Sequence, residues 1–317
     1  MHFMSPLQIL KYIFGVAQQE AEPNPHLEIR KESFFLDPAL HERFLTHGWV
    51  KVEHVIEPEE IASFMETFNY ISTLEGFELD KHLLNSGRLF NPEIRKSTQA
   101  VINKNAQTIL PRLFDMEKVD KHTGGAYQVK PCSDQSDLQI HQDSTVIDEE
   151  KDYCLFVWIP FCDVNEKNGP IWTLDGSHLW GNTQRSLGVP WNFLKHVDLL
   201  RTYMHPVLAN VGDVIVFDPA LVHCSTPNFS DKVRHAITIT VLRKNYQLVY
   251  YFKNKEGPKD IIEKYQVDEN FYYSYDFISQ PDGTKWKKEL VTYKPFDLSP
   301  NKLVKLIEKH RPKTGGE

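Results

Sequence analysis

The stretch Leu138-Gln-Ile-His-Gln-Asp143 alternates apolar and polar side chains, and around it the period of the chain changes from helical to two. Just upstream, Tyr127-Gln-Val129 alternates in the same way. Downstream, Tyr153-Cys-Leu-Phe-Val-Trp-Ile159 and the runs at 169–174, 213–217 and 235–242 read as further strands, separated by turn-rich segments such as Asn165-Glu-Lys-Asn-Gly-Pro170. Before this region the pattern is different. Ile61, Phe64, Met65, Phe68 and Ile71 recur at three- and four-residue spacings behind Pro58, which predicts an amphipathic helix. A second helical stretch is expected around 92–118, interrupted by Pro111. Helices followed by many short strands describe a mainly β fold, a helical cap on a double-sheet barrel. No internal repeat is present.

The flanks read more simply. Residues 7–17 read as an amphipathic helix rather than a secretion signal, since the stretch lacks a basic leading region and carries Lys11. Residues 20–35 have no periodicity and read as a linker, so the division expected is one domain over 1–317: a leading helix and linker (1–34), a cap and barrel (35–245) and an extension (246–317). That extension holds an aromatic run, Phe271-Tyr-Tyr-Ser-Tyr-Asp-Phe277, read as core packing, and a last helix from Pro300 to about His310 behind Ser299. Residues 311–317 are expected to be loose.

Composition excludes several classes. With 41% hydrophobic and 25% charged residues the chain is neither disordered nor collagenous, and no apolar run approaches the roughly 20 residues of a membrane span. A formal charge of −7 gives no footprint for a nucleic-acid backbone. Four cysteines without a CxxC pair indicate reduced thiols and a cytoplasmic setting. A small-molecule substrate, and a monomer or weak homo-oligomer, follow as expectations.

Three features carry chemistry. The first, His141-Gln-Asp143, puts an imidazole and a carboxylate on one face of a strand. With 14 histidines and 43 acidic residues, His-x-acid arises by chance roughly twice, and it occurs three times here. His26-Leu-Glu28 falls in the linker, and His196-Val-Asp198 in a helical stretch where positions two apart do not face each other. Only His141 and Asp143 sit on a predicted strand. The second feature is His223, beyond the apolar strand Gly212-Asp-Val-Ile-Val-Phe217. Two imidazoles and one carboxylate on one face of iron(II) leave positions for O₂ and a chelating co-substrate. The third is Arg234, which opens the strand 235–242; its fork suits a carboxylate, here the far carboxylate of 2-oxoglutarate, with Ser225 offering a hydroxyl to the same group. Singly, each of these residues is more often structural. Their joint order along the chain is the signal.

At these residues the chain resembles the phytanoyl-CoA dioxygenase family of iron(II)- and 2-oxoglutarate-dependent oxygenases. The resemblance runs over about residues 35–245, through His141-Gln-Asp143, Phe156-Val-Trp-Ile-Pro160, Asn168-Gly-Pro-Ile-Trp-Thr-Leu-Asp-Gly-Ser-His178, Gly212–Phe217 and His223-Cys-Ser-Thr-Pro-Asn228 to Arg234. It implies a double-stranded β-helix (jelly-roll, cupin-like) core, with His141, Asp143 and His223 as iron ligands and Arg234 and Ser225 as co-substrate anchors. Trp158 matches a position that lines the co-substrate pocket; a core tryptophan is the other reading. Gln128 is expected as a polar contact from the preceding strand. Asp175 stands where family members commonly carry proline. Halogenating relatives lack the carboxylate ligand, so Asp143 implies hydroxylation, desaturation or oxidative cyclisation of a small molecule, with O₂ consumed and succinate and CO₂ released. Acyl-CoA thioesters, amino-acid-like solutes and natural-product intermediates all stay open as substrates. So do two other classes: a non-catalytic cupin-like ligand-binding module, and a zinc hydrolase, which gives Arg234 no task. The segment 179–206 is either a lid or a surface excursion.

Overall fold

The computed structural model describes residues 24–89, 91–120, 124–275, 279–293 and 298–312. The expected helix at 7–17 and the end of the tail, 313–317, lie outside the described residues. Helices α1 (Pro25–Arg30), α2 (Pro38–His47), α3 (Pro58–Ile71) and α4 (Pro92–Ile109) come first, with the short strands β1 (Trp49–Val52) and β2 (Leu84–Asn85) between them. Each helix opens on proline, whose missing N–H costs nothing at the first position. The residue before it caps. Asn24, Asp37 and Asn91 each accept a hydrogen bond from the backbone N–H two positions on, at 2.9, 2.8 and 2.8 Å. Helix α2 stops at Gly48, which has φ 84°, and a Cβ there would lie 2.5 Å from His178 Nδ1.

Eight strands then follow: β3 (Gly125–Lys130), β4 (Leu138–His141), β5 (Leu155–Pro160), β6 (Ile171–Leu174), β7 (His205–Val207), β8 (Val214–Phe217), β9 (Val222–Ser225) and β10 (Arg234–Val241), with helix α5 (Val197–Arg201) between β6 and β7. They form two antiparallel sheets, in the orders β1-β8-β5-β10-β3-β2 and β4-β9-β6-β7. This is the double-stranded β-helix that the resemblance implies. The pleat decides what each face touches. Val157, Ile159, Val214, Val216, Ile237 and Ile239 pack outward under the helices with Phe44, Phe64, Ile94 and Ile102. Their neighbours Trp158, Ile215, Phe217 and Ala236 turn inward against Ile171 and Val207 of the other sheet. Each such aliphatic or phenyl side chain, fully buried, stabilises by about 1.5–3 kcal/mol.

The four-stranded sheet repeats the logic. Ile140, Leu174, Val222 and Cys224 face outward, where Trp180, Phe193, Leu200, Leu303 and Ile307 cover them. His141, His223 and Ser225 are thereby turned to the inside. The remaining elements are a three-stranded sheet, β11 (Leu248–Phe252), β12 (Ile261–Val267) and β13 (Lys287–Thr292), with helices α6 (Glu269–Ser274) and α7 (Pro300–His310).

Two expectations change. Where it is described, the stretch read as a linker holds a capped helix whose Arg30 is 1% exposed and bonds Asp218 at 2.6 Å. Six residues are too few for a period to show. The segment 179–206 is no surface excursion: Trp180, Arg185, Phe193 and Leu200 are all buried in it. Of the aromatic run, Phe271 is buried and stacks on Tyr275 with centroids 4.3 Å apart, whereas 276–278 lie outside the described residues.

Candidate metal centre

Strands β4 and β9 pair so that His141 stands directly opposite His223. Asp143 follows β4, and its two carboxylate oxygens lie 3.5 Å from His141 Nε2 and 3.5 Å from His223 Nε2. The three residues offer ligand atoms all within 4.8 Å of one another, and among the described residues they are the one such group of three or more. Each imidazole is oriented by the backbone carbonyl two residues before it. Nδ1 of His141 lies 2.7 Å from Gln139 O and Nδ1 of His223 2.9 Å from Leu221 O. A carbonyl can only accept, so each Nδ1 carries the proton and each Nε2 presents its lone pair.

The electrostatics favour the same state. Burial works to raise the Asp143 carboxyl, but His223 and then His141 and Arg88 oppose it more strongly and bring it down to about 2. Burial, and after it repulsion from His141, lowers His223 to about 4. At neutral pH the set is therefore one carboxylate and an unprotonated His223, a ligand set of the 2-His-1-carboxylate kind that suits a divalent ion.

The triad opens on a cavity of about 750 Å³, which Gln128, Trp158, Ser225 and Arg234 also line. All seven residues singled out in the sequence thus face one space. Arg234 is 2% exposed, and its Nη1 donates to Gly169 O at 2.6 Å. Its Nε is buried without a hydrogen-bond partner, and its guanidinium lies 5.0 Å from the centre of the Trp158 ring. Burial lowers its pKa to about 10, so it stays charged at neutral pH. A buried, charged fork with an unmet donor is fitted to a carboxylate from outside the protein. Trp158 itself is 1% exposed and donates from Nε1 to Gln128 Oε1 at 3.0 Å, while Gln128 Nε2 donates to Thr238 Oγ1 at 3.1 Å. Gln128 is thus held as a wall rather than left as a free contact.

The other two His-x-acid pairs go elsewhere. His26 lies on α1, and His196 faces the carbonyl of Leu298 at 2.8 Å. Two arginines act on Asp143 in a way that the sequence does not announce, although the loop 80–105 and the segment 179–206 that carry them read as pocket contributors. Arg88, on the turn after β2, lines the cavity and acts on the charge of Asp143. Arg185, within the segment 179–206, donates from Nε to the backbone carbonyl of Asp143 at 2.8 Å. Neither carries a local motif, because each gains its meaning from contacts more than 35 residues away in sequence.

The family model described as Phytanoyl-CoA dioxygenase (PhyH) matches residues 44–236. A phytanoyl-CoA dioxygenase domain-containing protein 1 homolog of Dictyostelium discoideum is 30% identical over 122 residues, 36% of this chain and 43% of that protein. Phytanoyl-CoA dioxygenase domain-containing protein 1 of Danio rerio is 26% identical over 149 residues, 44% and 48% of the two chains. The chain spans under half the length of these curated relatives. Among solved structures, HygX from Streptomyces hygroscopicus, with nickel, 2-oxoglutarate and hygromycin B bound, aligns at 15% identity over 66% of this chain and 88% of its own, with a TM-score of 0.49.

Proposed function

Because the chain belongs to the phytanoyl-CoA dioxygenase family, we propose that it is an iron(II)- and 2-oxoglutarate-dependent oxygenase that oxidises an unactivated C–H bond of a small molecule. The observation that carries this reading is the pairing of the triad with Arg234: a divalent-ion site and a buried, partly unpaired cation line one cavity. His141, Asp143 and His223 would hold the metal by Nε2, a carboxylate oxygen and Nε2. When bound, iron with 2-oxoglutarate supplies the oxidising power, with O₂ consumed and succinate and CO₂ released.

The chain's own contribution is placement. Arg234 fixes the distal carboxylate of the co-substrate, and Ser225, two positions after His223 on the same inward face of β9, adds a hydroxyl to the same end. Trp158 closes the space beneath the guanidinium, and Gln128, tied to Trp158 and Thr238, keeps that wall rigid. Asp143 fills the carboxylate position of the triad, which favours hydroxylation, desaturation or oxidative cyclisation. The rest of the cavity receives the primary substrate. It is walled by Leu187, Val189 and Trp191 from the segment 179–206 and by Leu248 and Tyr272 from the C-terminal extension.

Succinate release from 2-oxoglutarate under air with added iron(II) tests the proposal. His141→Ala should abolish release, and Arg234→Ala should raise the co-substrate KM by tenfold or more, since a lost charge-assisted pair costs about 1.5–3 kcal/mol. Unchanged release in both variants would overturn the proposal, whereas no release from the wild-type chain would leave a ligand-binding module as the better reading. Stimulation of that turnover by members of a metabolite panel identifies the substrate.

A further inference from the structure

We propose that Arg185 is a positioning residue for Asp143, and that the segment 179–206 thereby sets the metal affinity of the centre. This inference rests on the reading of Asp143 as a metal ligand. Asp143 lies just past the end of β4, so no strand ladder fixes its backbone. Two contacts replace the ladder. Its N–H donates to Pro219 O at 2.9 Å, and its carbonyl accepts from Arg185 Nε at 2.8 Å.

Arg185 is itself held on every side. Its Nη1 and Nη2 bond the two oxygens of Glu149 at 2.7 and 2.6 Å, and Nη1 also donates to Asn182 O. The two side chains are 4% and 3% exposed. Around them, residues 142–145 and 182–185 are tied together. Thr145 N donates to Arg185 O at 2.9 Å, Thr145 Oγ1 donates to Thr183 O at 2.8 Å, and Asn182 Nδ2 donates to Gln142 Oε1 at 2.8 Å. Gln142 Nε2 in turn donates to Ala220 O at 2.6 Å, anchoring the pair of segments to the loop that precedes His223.

A buried ion pair of this kind is a poor stabilising device, since apolar residues of the same volume serve as well or better. What apolar residues cannot do is hold a carbonyl. Arginine alone can grip a carboxylate with one edge of its fork and a backbone carbonyl with Nε, and lysine cannot repeat that geometry. Glu149 fixes the fork, the fork fixes the Asp143 peptide, and the peptide fixes where the carboxylate points. The same segment supplies Leu187, Val189 and Trp191 to the cavity wall, so displacement of this wall is transmitted to a ligand of the metal.

Cobalt(II) titration of the full chain, followed by its visible d–d bands, provides a readout independent of turnover. Arg185→Lys should bind cobalt at least tenfold more weakly than wild type, within the range for loss of an outer-shell partner, with displaced bands. The KM for 2-oxoglutarate should stay where Arg234 sets it. Ile109→Ala, a buried position in helix α4 remote from the cavity, serves as the control for lost stability. It should melt lower and bind cobalt as wild type does. Wild-type affinity and spectrum in Arg185→Lys, or an equal loss of affinity in Ile109→Ala, would overturn the inference while leaving the proposed function intact. A wild-type chain that neither binds cobalt nor releases succinate would overturn the function itself. If Arg185→Lys does not fold, Glu149→Gln should show the same weakening, and unchanged affinity there is equally fatal.

Discussion

His141 and His223 solve one local problem in the same way: each lends Nδ1 to the carbonyl two residues back along the chain and keeps Nε2 for the cavity. That device needs a strand, and it explains why the three-fold occurrence of His-x-acid in the sequence resolves as it does. His26 and His196 stand in helical surroundings, where position i+2 points away. The gathering of His141, Asp143, His223 and Arg234 was thus legible from period and order. The hold of Arg185 on Asp143 was not, because its contacts to Asp143 and Glu149 span 42 and 36 residues and leave no spacing to read. Trp158 and Gln128 show a middle case. Their side chains face the cavity as alternation predicts, but only the structure shows that they bond each other. At this scale Arg234→Lys is the informative change, since it keeps a cation and loses the fork. Steady-state kinetics should show the KM for 2-oxoglutarate raised about tenfold, equivalent to about 1.4 kcal/mol, with kcat much less affected. An unchanged KM would remove the carboxylate-gripping role.

Between elements, Asp175 makes a closure that its place in the sequence does not advertise. β1 and β7 are edge strands of the two sheets. The Asp175 carboxylate joins them, accepting from Trp49 Nε1 at 2.8 Å and meeting His205 Nε2 at 2.9 Å and His47 Nδ1, at the end of α2, at 2.7 Å. A proline here would sever all three contacts. The departure from the family pattern is therefore a tie between layers, and the turn it sits in is the lesser part of its role. Hydrogen bonding to Asp175 raises His205 above its ordinary 6.5, and the three donors hold the Asp175 carboxyl well below its usual range despite burial. The sign follows from linkage. The His205 contribution is complete below pH 6.5 and is lost as pH rises through the higher folded-state value. Thermal melts should accordingly show Asp175→Asn less stable than wild type by about 1–3 kcal/mol near pH 6. The gap should narrow at alkaline pH, and a pH-independent gap would assign the tie to neutral hydrogen bonds alone. The strands themselves were legible, because β5, β8 and β10 alternate between two buried surfaces. Helix α1 was not, although Asn24-Pro25 carries its start signal.

For the whole molecule the open question is whether the residues beyond the family match behave as part of the barrel or as a unit appended to it. The contacts favour one unit. Val249 N donates to Val146 O at 2.9 Å and Ile147 bridges to Leu248, joining β11 to the loop that follows Asp143. Ile147, Cys154 and Leu242 share a buried cluster with Leu248, Tyr250, Tyr265, Val267 and Phe271. Leu248 and Tyr272 also line the cavity, so the extension completes the site as well as the core. Aromatic composition announced packing in this region but not its partner, because a long-range sheet leaves no period that names its neighbour. Phe271, 1% exposed and in contact with Tyr250, Tyr275 and Trp286, is the residue on which the two arrangements differ. Phe271→Ala should cost about 3–5 kcal/mol through lost burial and the cavity left behind. If the extension and barrel fold together, differential scanning calorimetry shows one transition moved down by several degrees, and cobalt binding melts away with it. If the extension is separate, a second transition splits off below an unmoved main peak, with cobalt still bound between the two. The shared cluster between Ile147 and Phe271 predicts the single transition.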